Sequence, residues 1–158
     1  MNTHKIKPNF IIIGAMKSAT TSLYAYLKQH PDIFMTDIKE PMFFNNLNKK
    51  NTFIIKEGRK KRTKINTFEE YYTLFRNANN QKAIGEASPE YIYTKECPEL
   101  IKKHLPNTKI IAILRQPIER AYSNFLHAKR SGKENIKDFI TAINEEEYRI
   151  KKDWSPLY

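Results

Sequence analysis

Two stretches of the chain are unbroken apolar runs, and each gives way to a helical spacing. The first, Phe10 to Ile13, is short, β-branched and closed by Gly14, the pattern of a strand buried on both faces. Beyond it Thr20, Leu23, Tyr24 and Leu27 recur at i, i+3, i+4 and i+7, which predicts a helix ending near His30, because Pro31 disfavours helical geometry in the residue before it. The second run, Lys109 to Leu114, is followed by Arg115 and by Pro117 at a favourable first helical position. On that helix Ile118, Ala121, Tyr122, Phe125 and Lys129 form one stripe, and Arg120, Ser123, Asn124 and His127 a polar one. Between the two units, residues Pro31 to Asn51 read as irregular with a turn at Glu40-Pro41. Thr67 to Glu70 opens a helix with Phe68, Tyr71, Tyr72 and Phe75 on one face, Lys82 to Glu86 is a short, weakly marked strand, and Cys97 to Leu105 is a helix stopped by Pro106. A last helix, about Ile136 to Ile150, is expected to bury Ile136, Phe139, Ile140 and Ile143. Strands alternating with helices predict an α/β fold: a mainly parallel sheet flanked by helices, with ligands bound beyond the carboxyl ends of the strands.

Composition narrows this picture. The chain has 158 residues, 40% of them apolar and 28% charged, as expected of one soluble globular domain. Its longest apolar stretch, Phe10 to Met16, is far short of the ~20 residues a membrane span needs, and the N-terminus lacks a signal-peptide cleavage pattern. The single Cys97 permits no intrachain disulfide and predicts a reducing, cytoplasmic setting. His4, His30, His104 and His127 show no ligand spacing, so no metal is expected. The net charge of +11 calls for an anionic partner. Six of those cations crowd into Lys56 to Lys64, which reads first as a solvated connection and second as a contact for an acidic acceptor. The absence of aromatic residues between them argues against nucleic acid. Gly14, Gly58, Gly85 and Gly132 stand too far apart for a G-x-G-x-x-G fingerprint, which excludes a standard dinucleotide-binding dehydrogenase.

The strand ends carry the candidate chemistry. After the first strand comes Gly14-Ala15-Met16-Lys17-Ser18-Ala19-Thr20-Thr21-Ser22, a loop of small and hydroxyl residues with one lysine, leading into a helix N-terminus. Unpaired N–H groups, the positive end of the helix dipole, an ammonium and several hydroxyls can converge there on a phosphate. The competing reading is that Ser18 to Thr21 cap the helix and Lys17 is solvated. The loop is no Walker A motif, because no second glycine stands directly before the lysine. The second strand ends at Arg115 where a P-loop NTPase normally places a Walker B aspartate for Mg²⁺. Arg115 and Ser123 can serve a second phosphate, or Arg115 can simply pair with Glu86 or Glu119.

Four blocks in order, Lys17-Ser-Ala-Thr-Thr-Ser, Lys39-Glu-Pro-Met-Phe-Phe, Gly85-Glu-Ala-Ser-Pro-Glu-Tyr and Leu114-Arg-Gln-Pro-Ile-Glu-Arg-Ala-Tyr-Ser-Asn-Phe, resemble the signature of sulfotransferases. The resemblance is to bacterial members related to the heparan sulfate sulfotransferases, and it runs from about Pro8 to Gly132. It implies the P-loop-like sulfotransferase fold and use of 3′-phosphoadenosine 5′-phosphosulfate (PAPS) as donor, without a metal. Lys17 then contacts the bridging oxygen, Ser18, Ala19, Thr20, Thr21 and Ser22 surround the 5′-phosphate, and Arg115 with Ser123 holds the 3′-phosphate. Glu40 matches the general base of the glycan-modifying members. The implied partners are this nucleotide donor and a hydroxyl or amine acceptor, a carbohydrate among the candidates. Ala19 stands where many relatives carry glycine. Met42 stands where glycan 3-O-sulfating relatives carry histidine, so that acceptor is not carried over. Relatives continue for about another hundred residues, which makes residues 1–158 read as the N-terminal, donor-binding part of the domain. Two other classes stay open: a P-loop-like nucleotide kinase or NTPase, and a non-enzymatic basic module that binds polyanions.

Overall fold

The computed structural model describes residues 5–47 and 65–151, so the basic loop Lys56 to Lys64 lies outside the described residues. The chain divides into two compact units: Met1–Ala15 with Ala19–Ile113, and Met16–Ser18 with Leu114–Tyr158.

The first unit is built on four parallel strands, β1 (Phe10–Gly14), β2 (Ile33–Met35), β3 (Ala83–Ala87) and β4 (Lys109–Ala112), in the order β2-β3-β1-β4. Parallel neighbours require crossovers, and the helices supply them. The crossover from β1 to β2 carries α1 (Thr20–Leu27), that from β2 to β3 carries α2 (Phe43–Asn46) and α3 (Phe68–Thr73), and that from β3 to β4 carries α4 (Cys97–His104). The connection from β1 runs back past β3 to β2 and that from β3 past β1 to β4, and their helices α1 and α4 pack on opposite faces of the sheet, so the chain leaves these adjacent strands to opposite sides. This is the switch point at which open α/β sheets bind ligands.

The apolar run of β1 is explained by strand alternation, since it faces helices on both sides. Ile11 packs with Phe43, Phe44, Tyr71, Tyr91 and Ile101, while Phe10 and Ile12 pack on the other side with Met35, Leu23 and Leu27. An aromatic cluster consolidates the first layer, with Phe43 stacked on Tyr71 at 4.4 Å and Phe44 edge-on to Tyr91 at 5.6 Å. The predicted opening of α3 is a capping box: Thr67 accepts from the Glu70 N–H, and the Glu70 carboxylate accepts from the Thr67 N–H. Gly85 is required by close approach, because a Cβ there would lie 2.5 Å from the Phe10 ring.

Three expectations need correction. The segment after Pro31 is not simply irregular, because Ile33 to Met35 pair with Ala83 to Gly85. Of the run Lys109 to Leu114 the strand takes only Lys109–Ala112, at the sheet edge with Ile110 exposed; Ile110 lines an apolar groove of about 450 Å³ together with Ile13, Ile92, Cys97, Ile101 and Leu105.

The third correction lies in the second unit, whose elements are α5 (Pro117–Arg130), α6 (Phe139–Asn144) and α7 (Glu146–Lys151). Phe125 is buried against Phe139, at 5.4 Å between ring centres. The single helix expected over Ile136 to Ile150 is two short ones. The Asp138 carboxylate accepts the Thr141 N–H at 2.7 Å and starts α6 at Phe139, while Ile136 donates its N–H to Glu134 at 2.7 Å ahead of the helix. Ala142 is the buried position of α6, and Ile140 and Ile143 are exposed.

Candidate functional site

The connection from β1 to α1 has an unusual backbone. Gly14 exchanges hydrogen bonds across to the end of β4, where Ile113 N–H donates to the Gly14 carbonyl and Ala15 N–H donates to the Ile113 carbonyl, both at 2.8 Å. Lys17 and Ala19 then adopt left-handed conformations, with φ of 62° and 64°. Such backbone costs a non-glycine residue roughly 1–3 kcal/mol and persists where its surroundings enforce it. Ala19 occupies the N-cap of α1 but cannot cap it, no side chain caps the helix in its place, and the first turn has no acidic residue. The reading of Ser18 to Thr21 as capping hydroxyls therefore fails. Ser18 is buried, and its hydroxyl has no hydrogen-bond partner. A helix start with uncapped N–H groups preceded by an orphaned buried hydroxyl suits the oxygens of an anion. Thr20 is buried in the first turn, while Thr21 and Ser22 are exposed.

Glu40 lies beyond the carboxyl end of β2, on a turn that runs beside the end of β3. It too is left-handed, at φ 58°, as is Met42 at φ 52°. Alternate amides of this turn bind the segment after β3: Glu40 N–H donates to the Ala87 carbonyl at 3.0 Å, Met42 N–H to the Ser88 hydroxyl at 3.1 Å, and Phe44 N–H to the Tyr91 hydroxyl at 3.3 Å. The Glu40 carboxylate pairs with the Lys39 ammonium, and both side chains are about three-quarters buried (24% and 23% exposed). A partly shielded carboxylate that still reaches solvent can take a proton from a bound acceptor.

Beneath the turn sits a group to which the sequence pattern assigns no role. Glu86 is completely buried, and its carboxyl accepts from the hydroxyls of Tyr91 and Ser88, each at 2.8 Å, and of Tyr71 at 3.3 Å. Burial raises its pKa to about 7 against the opposing effect of the three hydroxyl donors. The same burial, with the Glu86 charge, holds the Tyr71 and Tyr91 hydroxyls well above their usual range. The sequence does hold a signal for this cluster, since a glutamate interrupts an otherwise apolar strand and Ser88 and Tyr91 follow it closely.

The residues proposed for a nucleotide are divided between the two units, Thr20 to Ser22 in the first and Lys17, Ser18, Arg115 and Ser123 in the second. Arg115 donates to Glu119 at 3.1 Å, one turn on, which realises one of its two expected pairings. An exposed pair of this kind is worth about 0–1 kcal/mol, so Glu119 is easily displaced by a phosphate. Ser123 is half-buried on α5. Among the described residues no His, Cys, Asp and Glu side chains gather as a metal-binding group, and no helix is long and apolar enough to cross a membrane.

A model of the sulfotransferase family matches residues 8–157. A membrane-associated sulfotransferase of Dictyostelium discoideum is 36% identical over 118 residues, covering 75% of this chain and 22% of that protein. A bifunctional heparan sulfate N-deacetylase/N-sulfotransferase of Mus musculus is 31% identical over 124 residues, 77% of this chain and 13% of that protein. The crystal structure of a sulfotransferase from Alicyclobacillus acidocaldarius superimposes with a TM-score of 0.79 at 35% identity, covering 96% of this chain and 62% of that one. The chain thus spans less than a quarter of the two curated relatives and 62% of the solved one.

Proposed function

The chain belongs to the sulfotransferase family, and from that premise we propose that it transfers a sulfuryl group from PAPS to a hydroxyl or amine. The observation that carries the reading is the start of α1, uncapped and preceded by the buried, unpartnered Ser18 hydroxyl. In this reading Ser18 and the first-turn groups of Ala19 to Ser22 bind the 5′-phosphate. Lys17 stabilises the negative charge that grows on the leaving phosphate oxygen as its bond to sulfur breaks. Arg115 and Ser123 hold the 3′-phosphate, the guanidinium offering a fork of N–H donors suited to phosphate. Glu40 takes the acceptor proton as the acceptor oxygen or nitrogen forms its bond to sulfur. The products are the sulfated acceptor and 3′,5′-adenosine bisphosphate, and cations supply the charge neutralisation.

The acceptor class we propose is a glycan, on the strength of relatives named as heparan sulfate N-sulfotransferases and as carbohydrate sulfotransferase 15. A cytoplasmic location is proposed from the cysteine content, a single Cys97 that permits no intrachain disulfide. Calorimetry with 3′,5′-adenosine bisphosphate tests the donor site: the wild-type chain binds and Arg115→Ala binds at least tenfold more weakly, as expected for about 1.5–3 kcal/mol from a charge-assisted contact. Equal binding by the two proteins would remove Arg115 from the site.

A further inference from the structure

Glu40 can act as a base only if its carboxylate is held in place, yet its turn combines two left-handed residues, Glu40 and Met42, that are not glycine. What holds the turn is a row of acceptors on the segment after β3. The Ala87 carbonyl fixes Glu40 through the main chain. The next two acceptors are side-chain hydroxyls, Ser88 for Met42 and Tyr91 for Phe44, and a free hydroxyl can rotate away from its amide. Here neither is free, because both hydroxyls are hydrogen-bonded to the buried Glu86 carboxyl at 2.8 Å, each keeping a lone pair for its amide.

We propose that Glu86 is a positioning residue for Glu40, acting through Ser88 and Tyr91 to fix the amides of Met42 and Phe44 and so the turn that presents the base. The inference rests on Glu40 being that base. Tyr71, Tyr91 and Ser88 are the groups bonded to the Glu86 carboxyl, and the arrangement works in either protonation state. The ionised carboxylate accepts from all three. The neutral acid donates to Ser88 and still accepts from the tyrosines, and Ser88 keeps a lone pair for Met42.

Glu86→Leu, which keeps the bulk of the side chain but releases both hydroxyls, and Ser88→Ala, which removes one of them, each test the relay without emptying the core. Hydrogen exchange at the Met42 amide should speed up about tenfold, the loss of one buried hydrogen bond, while the Ile11 and Ile12 amides keep their protection. The kcat should fall about tenfold with the donor KM unchanged, the signature of a displaced base. In a Glu40→Gln background either substitution should cost nothing further in turnover, because there is no base left to position. Tyr91→Phe should repeat the exchange result at Phe44. Unchanged Met42 exchange, unchanged kcat, or an equal loss in both backgrounds would overturn the proposal. Full turnover in Glu40→Gln alone would instead remove the base itself, and the exchange rates would still report whether Ser88 and Tyr91 hold the turn.

Discussion

Replacing Glu86 by Gln removes the acid buried beneath the Glu40 turn while keeping its shape, so the pH-dependent part of its effect reports the charge of Glu86 alone. Burial raises the Glu86 pKa from 4.5 to about 7. The folded state therefore keeps a proton that the unfolded chain has released over the interval between those values. Rising pH favours the state that binds fewer protons, so this group stabilises the fold fully below its unfolded pKa and ceases to do so as pH passes its folded one. At about 1.4 kcal/mol per unit, the wild-type chain should lose roughly 2–3 kcal/mol relative to Glu86→Gln between about pH 5 and pH 8. The tyrosines that face Glu86 stay neutral across that window, since burial pushes both upward. Urea unfolding of the two proteins at several pH values measures the difference directly, and exposed carboxylates common to both cancel. Parallel stability curves would show that Glu86 titrates at an ordinary carboxylate pKa, and would refute the reasoning from its burial.

Ala19→Gly should raise stability by about 1 kcal/mol, read as an increased melting temperature, because Ala19 sits at φ 64° and glycine bears no penalty there. Gly85→Ala should destabilise the fold by about 1–3 kcal/mol in urea, since the new Cβ meets the Phe10 ring between the strands. Glu40→Gln should lower kcat by about 10²–10⁴-fold at unchanged affinity for 3′,5′-adenosine bisphosphate, the loss typical of a general base, and unchanged turnover would end that assignment.

Elements built from their own sequence were legible in it. The β-branched centre of β1, the Thr67/Glu70 box of α3 and the Pro106 stop after α4 are local features, and each predicted element formed. Elements created by their neighbours were not. β2 is three residues long and exists because β3 offers it a partner, and the exposure of β4 follows from its place at the sheet edge, which no pattern in Lys109 to Leu114 encodes. The late start of the last helical stretch turns on Asp138, an N-cap hidden by an apolar spacing that continues through it. At the candidate site, the small and hydroxyl residues after β1 allow an anion loop or a capped helix, and the structure shows the helix start without a side-chain cap. Glu40 was recognisable through the family resemblance alone. Its support by Glu86, Ser88 and Tyr91 depends on the approach of two segments more than 40 residues apart, Met42 to Ser88 and Phe44 to Tyr91.

The central claim is that the β1–α1 connection and Arg115 serve a nucleotide phosphorylated at the 3′ position. Calorimetric titration of the chain with 3′,5′-adenosine bisphosphate, set against ATP with Mg²⁺, tests it most directly. Binding of the bisphosphate at least tenfold tighter than ATP is the predicted result, about 1.4 kcal/mol of discrimination from the 3′-phosphate. Absence of bisphosphate binding, or equal or tighter binding of Mg²⁺-ATP, would contradict it.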